Sequence, residues 1–180
     1  VHTLETSRLL LVPISVEMVE AILTGRRADA ERIAGARLPD AWPGRALVER
    51  AFFAHLESIR ENPGHRLWGD RVAITKSEAR VVGSVVFHGG PDAEGTVEIA
   101  YGVEQESQGR GYGFEAVSHM VDWALAHDEV RIVRAATFTW HVSSRRILEK
   151  LGFRVTGTRD ELLGEMLEYE RGKGARASPR

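Results

Sequence analysis

The sequence contains no cysteine. That excludes disulfide staples, a thiol nucleophile and any cysteine-liganded zinc. No apolar run approaches the roughly 18 residues of a membrane span. The first residues lack the basic-then-apolar pattern of a secretory signal. A cytoplasmic protein with no membrane partner is therefore the expectation. Neither sign of charge is in excess: 24 Lys and Arg against 26 Asp and Glu leave a formal net charge of −2. Such a chain carries no electrostatic footprint for nucleic acid. Its 7 histidines never take the H-x-x-x-H spacing, so no metal site is expected. The G-x-S-x-G signature of an activated serine is also missing. What is present is an ordinary globular composition, 43% hydrophobic over 180 residues, enough for one domain with a substantial core.

The chain is organised around one stretch, VEIAYGVEQESQGRGYGFEAVSHMVDWALA, from Val97 to Ala126. Over Thr96 to Val103 the apolar positions Val97, Ile99, Tyr101 and Val103 alternate with Glu98 and Gly102, which predicts a strand. Phe114, Val117, Met120, Val121, Ala124 and Leu125 recur at helical spacing. Between them lies Gln108-Gly-Arg-Gly-Tyr-Gly113, a turn whose glycines leave backbone N–H groups bare where a helix begins. Those groups and the positive end of the helix dipole make an anion site, with a phosphate as its natural occupant. The turn is not a P-loop, because Gly-Tyr-Gly stands where Gly-Lys-Ser/Thr is required. It is not a dinucleotide fingerprint either. Polar loop precedes it, its glycines run G-x-G-x-G, and the next strand-like run, Arg131 to Phe138, carries no acid.

The rest of the chain reads as a mixed sheet with helices on both faces. A strand over Arg8 to Ile14 ends at an edge with Pro13. Ser15 caps a helix that stops at Gly25. Asp29 to Leu38 reads as a second helix, and Ala46 to Glu61 as a third. Strands follow at Leu67 to Thr75 and Arg80 to Phe87, joined by a turn at Lys76 to Ala79. After the central unit come a strand at Val130 to Thr139, a helix at Ser143 to Leu151 closed by Gly152, and strands at Phe153 to Thr158 and Gly164 to Glu170. A single domain over residues 1–170 is expected, with a basic, disordered tail over 171–180. Antiparallel strands first and a β-α-β-α-β unit after them give a mixed α/β fold.

Four stretches together resemble one family. Gln108-x-x-Gly111-x-Gly113 has the form of the acyl-coenzyme A loop of the GNAT N-acetyltransferases, and Ser144-Arg-Arg-Ile-Leu-Glu-Lys-Leu-Gly-Phe153 is similar to that family's final helix-to-strand signature. Glu98-Ile-Ala-Tyr101 with Glu115-Ala116, and the opening Glu5-Thr-Ser-Arg-Leu-Leu-Leu11, resemble the RimJ/RimL-like branch that acetylates ribosomal protein N-termini. The resemblance implies a three-layer αβα sandwich whose mostly antiparallel central sheet splays at the cofactor. It implies acetyl-CoA as the cofactor, and transfer to a primary amine by direct attack. The acceptor is either a protein N-terminus or a small molecule, and the protein a monomer or homodimer. A catalytically inactive coenzyme A-binding module of the same fold is the alternative.

By the same resemblance, the backbone of Gln108, Gly109, Arg110, Gly111, Tyr112, Gly113 and Phe114 holds the pyrophosphate, while Tyr101, Gly102 and Val103 offer hydrogen bonds to the pantetheine arm. Glu98 is the candidate base, directly or through one water, with a pKa raised by partial burial. The tyrosine that many relatives use to protonate the thiolate is absent, since Leu148 stands there. The ribosomal-type branch uses a serine instead, and Ser144 matches it; Ser143 or Ser144 also fits a helix cap. His141 replaces the usual asparagine and either contacts the cofactor and assists proton transfer or merely occupies the place. Trp42, Phe87, His88 and Glu98 are assigned to the acceptor site. Arg145, Arg146 and Lys150 either reach the cofactor's adenosine phosphate or form a solvated helix face.

Overall fold

The computed structural model describes residues 2–41 and 56–174. Eight strands form one sheet: β1 (Leu4–Glu5), β2 (Leu9–Pro13), β3 (Arg71–Thr75), β4 (Arg80–Phe87), β5 (Thr96–Val103), β6 (Ile132–Phe138), β7 (Arg154–Glu161) and β8 (Gly164–Gly172). Their order is β1-β2-β3-β4-β5-β6-β8-β7, and every pair is antiparallel except β5–β6. Among the described residues six α-helices accompany them: α1 (Val16–Leu23), α2 (Arg27–Ala34), α3 (Leu56–Glu61), α4 (Pro63–Arg66), α5 (Tyr112–Leu125) and α6 (Val142–Lys150).

Strand alternation sorts the sheet's side chains into two cores. Leu9, Leu11, Val85, Phe87, Val97, Ile99, Val133 and Ala135 point to one face, where Val117, Met120, Val121 and Ala124 of α5 and Leu148 of α6 cover them. Each fully buried Val, Leu or Met side chain contributes about 1.5–3 kcal/mol relative to exposure. On the other face, Val72, Ile74 and Val81 meet Met18, Val19 and Ala21 of α1, Ala30 and Ala34 of α2 and Ile59 of α3. The result is the expected three-layer sandwich.

Several boundaries differ from the sequence reading. Leu67 to Asp70 belong to a turn, because Pro63 starts the short helix α4 on the Asn62 cap and Gly69 then adopts a positive φ. Leu67 and Trp68 are apolar because that turn packs into the cores, not because it is a strand. The strand carrying Pro13 is not the edge. β1 covers Leu10 and Leu11 but stops short of Pro13, whose missing N–H is tolerated there. The last strand runs through Gly172, and Lys173 N–H bonds the Arg131 carbonyl, so ordered chain extends into the expected tail.

The feature that positions the site is a broken ladder. β5 pairs with β6 only at Thr96, Val97 and Glu98, partnered by Ile132, Val133 and Arg134. Both strands continue, β5 to Val103 and β6 to Phe138, but they no longer pair. β5 meanwhile stays paired with β4 from Ile99 to Val103. The close approach of those two strands requires Gly83, where a Cβ would collide with the Gly102 carbonyl oxygen. The sheet therefore opens into a cleft just past Glu98.

Candidate active site

The glycine-rich turn closes the cleft at the start of α5. Gly109 and Gly111 have φ of 74° and 81°, a left-handed conformation that a Cβ disfavours. The amides of Gly109 through Phe114 donate to no carbonyl among the described residues; the first helical bond is Glu115 N–H to Gly111 O, 3.1 Å. Six N–H groups at a helix N-terminus are thus free for an anion. Gln108 differs from expectation. Its amide bonds Gln105 O within a short 3-10 turn, and its side chain donates to Val103 O at 3.1 Å, so it braces the strand end against the loop.

A cavity of about 570 Å3 runs along the cleft, lined by the β5 end from Tyr101 to Val103, the loop, and one side of α6. His141, Ser143, Ser144, Arg146 and Lys150 share that wall. Arg145 does not: it turns back to Thr139 O at 3.0 Å and towards Glu149. Neither serine caps α6. The helix starts at Val142 with His141 in the cap position, its side chain making no cap bond, so both serines fall within the first turn. Ser143 is exposed, whereas Ser144 is buried and lies 2.9 Å from the Tyr101 hydroxyl. Burial pushes the Tyr101 hydroxyl up to about 12, against its hydrogen bond with Ser144.

Glu98 is the last paired residue before the cleft, and its side chain points to the opposite sheet face from Ile99. It lines a second cavity, of about 330 Å3, with Arg134, Ala135, Ala136, Thr156, Arg159, Glu168, Tyr169 and Glu170. Its Oε1 lies 3.5 Å from His88 Nδ1. The expected rise in its pKa is reversed: the hydrogen bond from His88 outweighs burial and holds the Glu98 carboxyl below its ordinary value. The same bond leads the causes that raise His88. Phe87 cannot contact an acceptor. It is buried in the core, edge-on to Trp68 at 5.0 Å, and its amide donates to buried Asp70 at 2.7 Å. Burial pushes that Asp70 carboxyl up to about 7. Trp42 lies outside the described residues.

Residues 8–154 match the acetyltransferase (GNAT) domain family. The chain belongs to the GNAT acetyltransferase family, and it is an N-acetyltransferase. It is 28% identical over 150 residues to YjdG, an uncharacterised N-acetyltransferase of Bacillus subtilis (strain 168), covering 83% of this chain and 88% of that one. Among solved structures, its fold is similar to a ribosomal-protein-S5-alanine acetyltransferase from Vibrio fischeri, with a TM-score of 0.67, 16% identity and coverage of 99% and 100%. It is also similar to RimL, a ribosomal L7/L12 alpha-N-protein acetyltransferase in complex with coenzyme A, with a TM-score of 0.64, 12% identity and coverage of 94% and 97%.

The RimJ/RimL-like signatures of this GNAT acetyltransferase acquire a physical meaning in the structure. Arg8, from the opening motif, reaches Glu115, from the motif after the loop, at 2.7 Å. Its backbone amide and Thr6 Oγ1 donate to the other Glu115 oxygen at 2.8 and 2.6 Å. Arg8 Nη1 also donates to the Arg110 carbonyl at 2.8 Å, and its guanidinium lies over the Tyr112 ring. Burial would raise Glu115, but these hydrogen bonds prevail and lower it. Two distant segments thereby clamp the loop from outside. Nothing in the spacing of Arg8 and Glu115 announces this pair, because 107 residues separate them.

Proposed function

We propose that this enzyme moves an acetyl group from acetyl-CoA to a primary amine by direct attack. The observation that carries the reading is the ladder broken after Glu98 and Arg134, opening beside a loop with six free amides. The residues fit a coenzyme A thioester. Gly109 to Phe114 would hold the pyrophosphate, the unpaired side of β5 at Tyr101 and Gly102 the pantetheine arm, and Arg146 or Lys150 a further phosphate. Val103 is less suited to that arm, since Gln108 already occupies its carbonyl. When bound, acetyl-CoA supplies the acetyl group as an activated thioester.

The chain's own groups then divide the proton work. The acceptor enters from the second cavity, which Glu98 lines while His88, outside that lining, holds the Glu98 carboxylate. Glu98, directly or through water, takes the ammonium proton, and His88 orients the carboxylate and shares the proton's charge. On the cofactor side, Ser144 faces the leaving sulfur, while His141 lines the cavity nearby. The resemblance to ribosomal-protein acetyltransferases supports a protein N-terminus as acceptor, and a small-molecule amine is the other member of the class.

The test is amine-dependent release of the coenzyme A thiol, measured over peptides with different N-termini and small amines, with the wild type and Glu98→Gln. Turnover on an amine with kcat reduced roughly 100-fold or more in Glu98→Gln is expected. Tight acetyl-CoA binding with no turnover on any amine would instead support the coenzyme A-binding module.

A further inference from the structure

This enzyme lacks a tyrosine at the helix position where many relatives carry one; Leu148 there is fully buried in the core and has no proton to give. A tyrosine nonetheless reaches the same wall of the cofactor cavity from a different element. Tyr101, on β5, extends its hydroxyl across the cleft to α6, 2.9 Å from Ser144 Oγ and 3.1 Å from the Ser144 carbonyl oxygen. Both residues line the cavity. Ser144 is buried, and its helix cap position is filled by His141, so its hydroxyl is not spent on capping.

We infer that Tyr101 is a positioning residue for the leaving group: its one hydroxyl proton goes to Ser144 Oγ, the nearer of its two acceptors, rather than to the Ser144 carbonyl oxygen, so that the serine's own proton is directed at the departing sulfur. This inference rests on the proposed acetyl-CoA site. A serine hydroxyl that accepts a strong hydrogen bond becomes a better donor in turn. Lone, it is a much weaker acid than a phenol. Because burial keeps the Tyr101 hydroxyl protonated through the physiological range, the donor is present at every working pH.

In the step, the bond from the acetyl carbon to nitrogen forms and the carbon–sulfur bond breaks, with the electron pair passing to sulfur. The Ser144 hydrogen bond, backed by Tyr101, stabilises that charge. The proton that finally neutralises sulfur balances the one the amine gives up. Besides Tyr101, the charged and titratable groups on the walls of this cavity are Tyr112 at the start of α5, His141, and Arg146 and Lys150 of α6, and Tyr169 of β8 acts on Tyr101 from the core side. None of these is bonded to Tyr101 or Ser144.

The experiment needs no acceptor. Coenzyme A is bound to the wild type, Tyr101→Phe, Ser144→Ala and the double variant, and the thiol is titrated by the ultraviolet absorbance of its thiolate. Tyr101→Phe removes only the hydroxyl. The expected result is that the bound thiol ionises less readily in Tyr101→Phe, by roughly tenfold, that Ser144→Ala does the same, and that the double variant adds nothing, since the two groups act in series. Coenzyme A affinity is expected to stay within about twofold. Where an amine substrate is in hand, kcat falls with KM for acetyl-CoA unchanged. An identical titration in the wild type and Tyr101→Phe, with coenzyme A bound to both, overturns the inference. So do additive effects in the double variant. Failure of coenzyme A to bind the folded wild type would overturn the proposed function itself.

Discussion

Glu98 and His88 set the pH behaviour of the acceptor side. His88 is raised above its ordinary 6.5, first by its hydrogen bond to Glu98, and Glu98 is held below its ordinary 4.5 by the same bond. The charged pair therefore stabilises the fold fully between those two ordinary values. Its contribution disappears as pH rises through the raised histidine value, or falls through the depressed glutamate value. Both side chains are partly exposed, at 58% and 41%, so solvent screening keeps the contribution at or under about 1 kcal/mol. Thermal unfolding of His88→Gln is expected to start below the wild type between pH 4.5 and 6.5 and to converge with it at alkaline pH. A deficit that grows with pH would contradict the pairing. Strand phase singles out Glu98 in the sequence, whereas Ser144 comes only from the family resemblance, since its local pattern points to a helix cap. The pKa direction expected for Glu98 is wrong because His88, just past the end of β4, is ten residues away in the chain and its contact has no local signature. The capping option for Ser144 arose because the helix start was one residue off. Phe87 was misassigned for a related reason: an aromatic at a strand end gives no sign of which sheet face it serves.

At the scale of elements, the anion loop works because something outside it holds it still. The clamp of Thr6 and Arg8 on Glu115 and Arg110 joins the approach to β2 to the first turn of α5. Arg8 is 46% exposed, so the ion pair alone adds little to global stability. Its loss matters locally, because the Arg110 carbonyl is then released and the free amides of the loop are no longer fixed. Arg8→Ala is expected to weaken acetyl-CoA binding by roughly tenfold, while the unfolding free energy changes by about 1 kcal/mol or less. Equal binding with a large loss of stability would assign the clamp to the core instead. The bounds of β5, with its alternating pattern after Gly95, and of β4, a short run rich in valine, are legible in the sequence. The two-residue β1 is not, since two residues carry no period. The Leu67–Asp70 turn was read as strand because apolar residues in a packed turn look like a strand's start.

At the scale of the molecule, the architecture follows from one interruption. A sheet that remained paired along all of β5 and β6 would bury its backbone groups and leave nothing for a ligand to bond. Here pairing ends after three residues, and the opened edge, the loop and α6 enclose a cavity of about 570 Å3. Sequence pattern could order the strands and helices. It could not derive the break, because Glu98 to Val103 alternates without interruption; the splay entered only through the resemblance to the family. The second cavity, by Glu98, was likewise invisible, being assembled from β5, β6, β7 and β8. The opened cleft is expected to take acetyl-CoA. Calorimetric titration of the folded protein with acetyl-CoA, with NADH and ATP run alongside, tests it most directly. Saturable heat at a single site is expected for acetyl-CoA, with none comparable for the two nucleotides. Absence of acetyl-CoA binding to demonstrably folded protein, or preferential binding of NADH, would contradict that expectation.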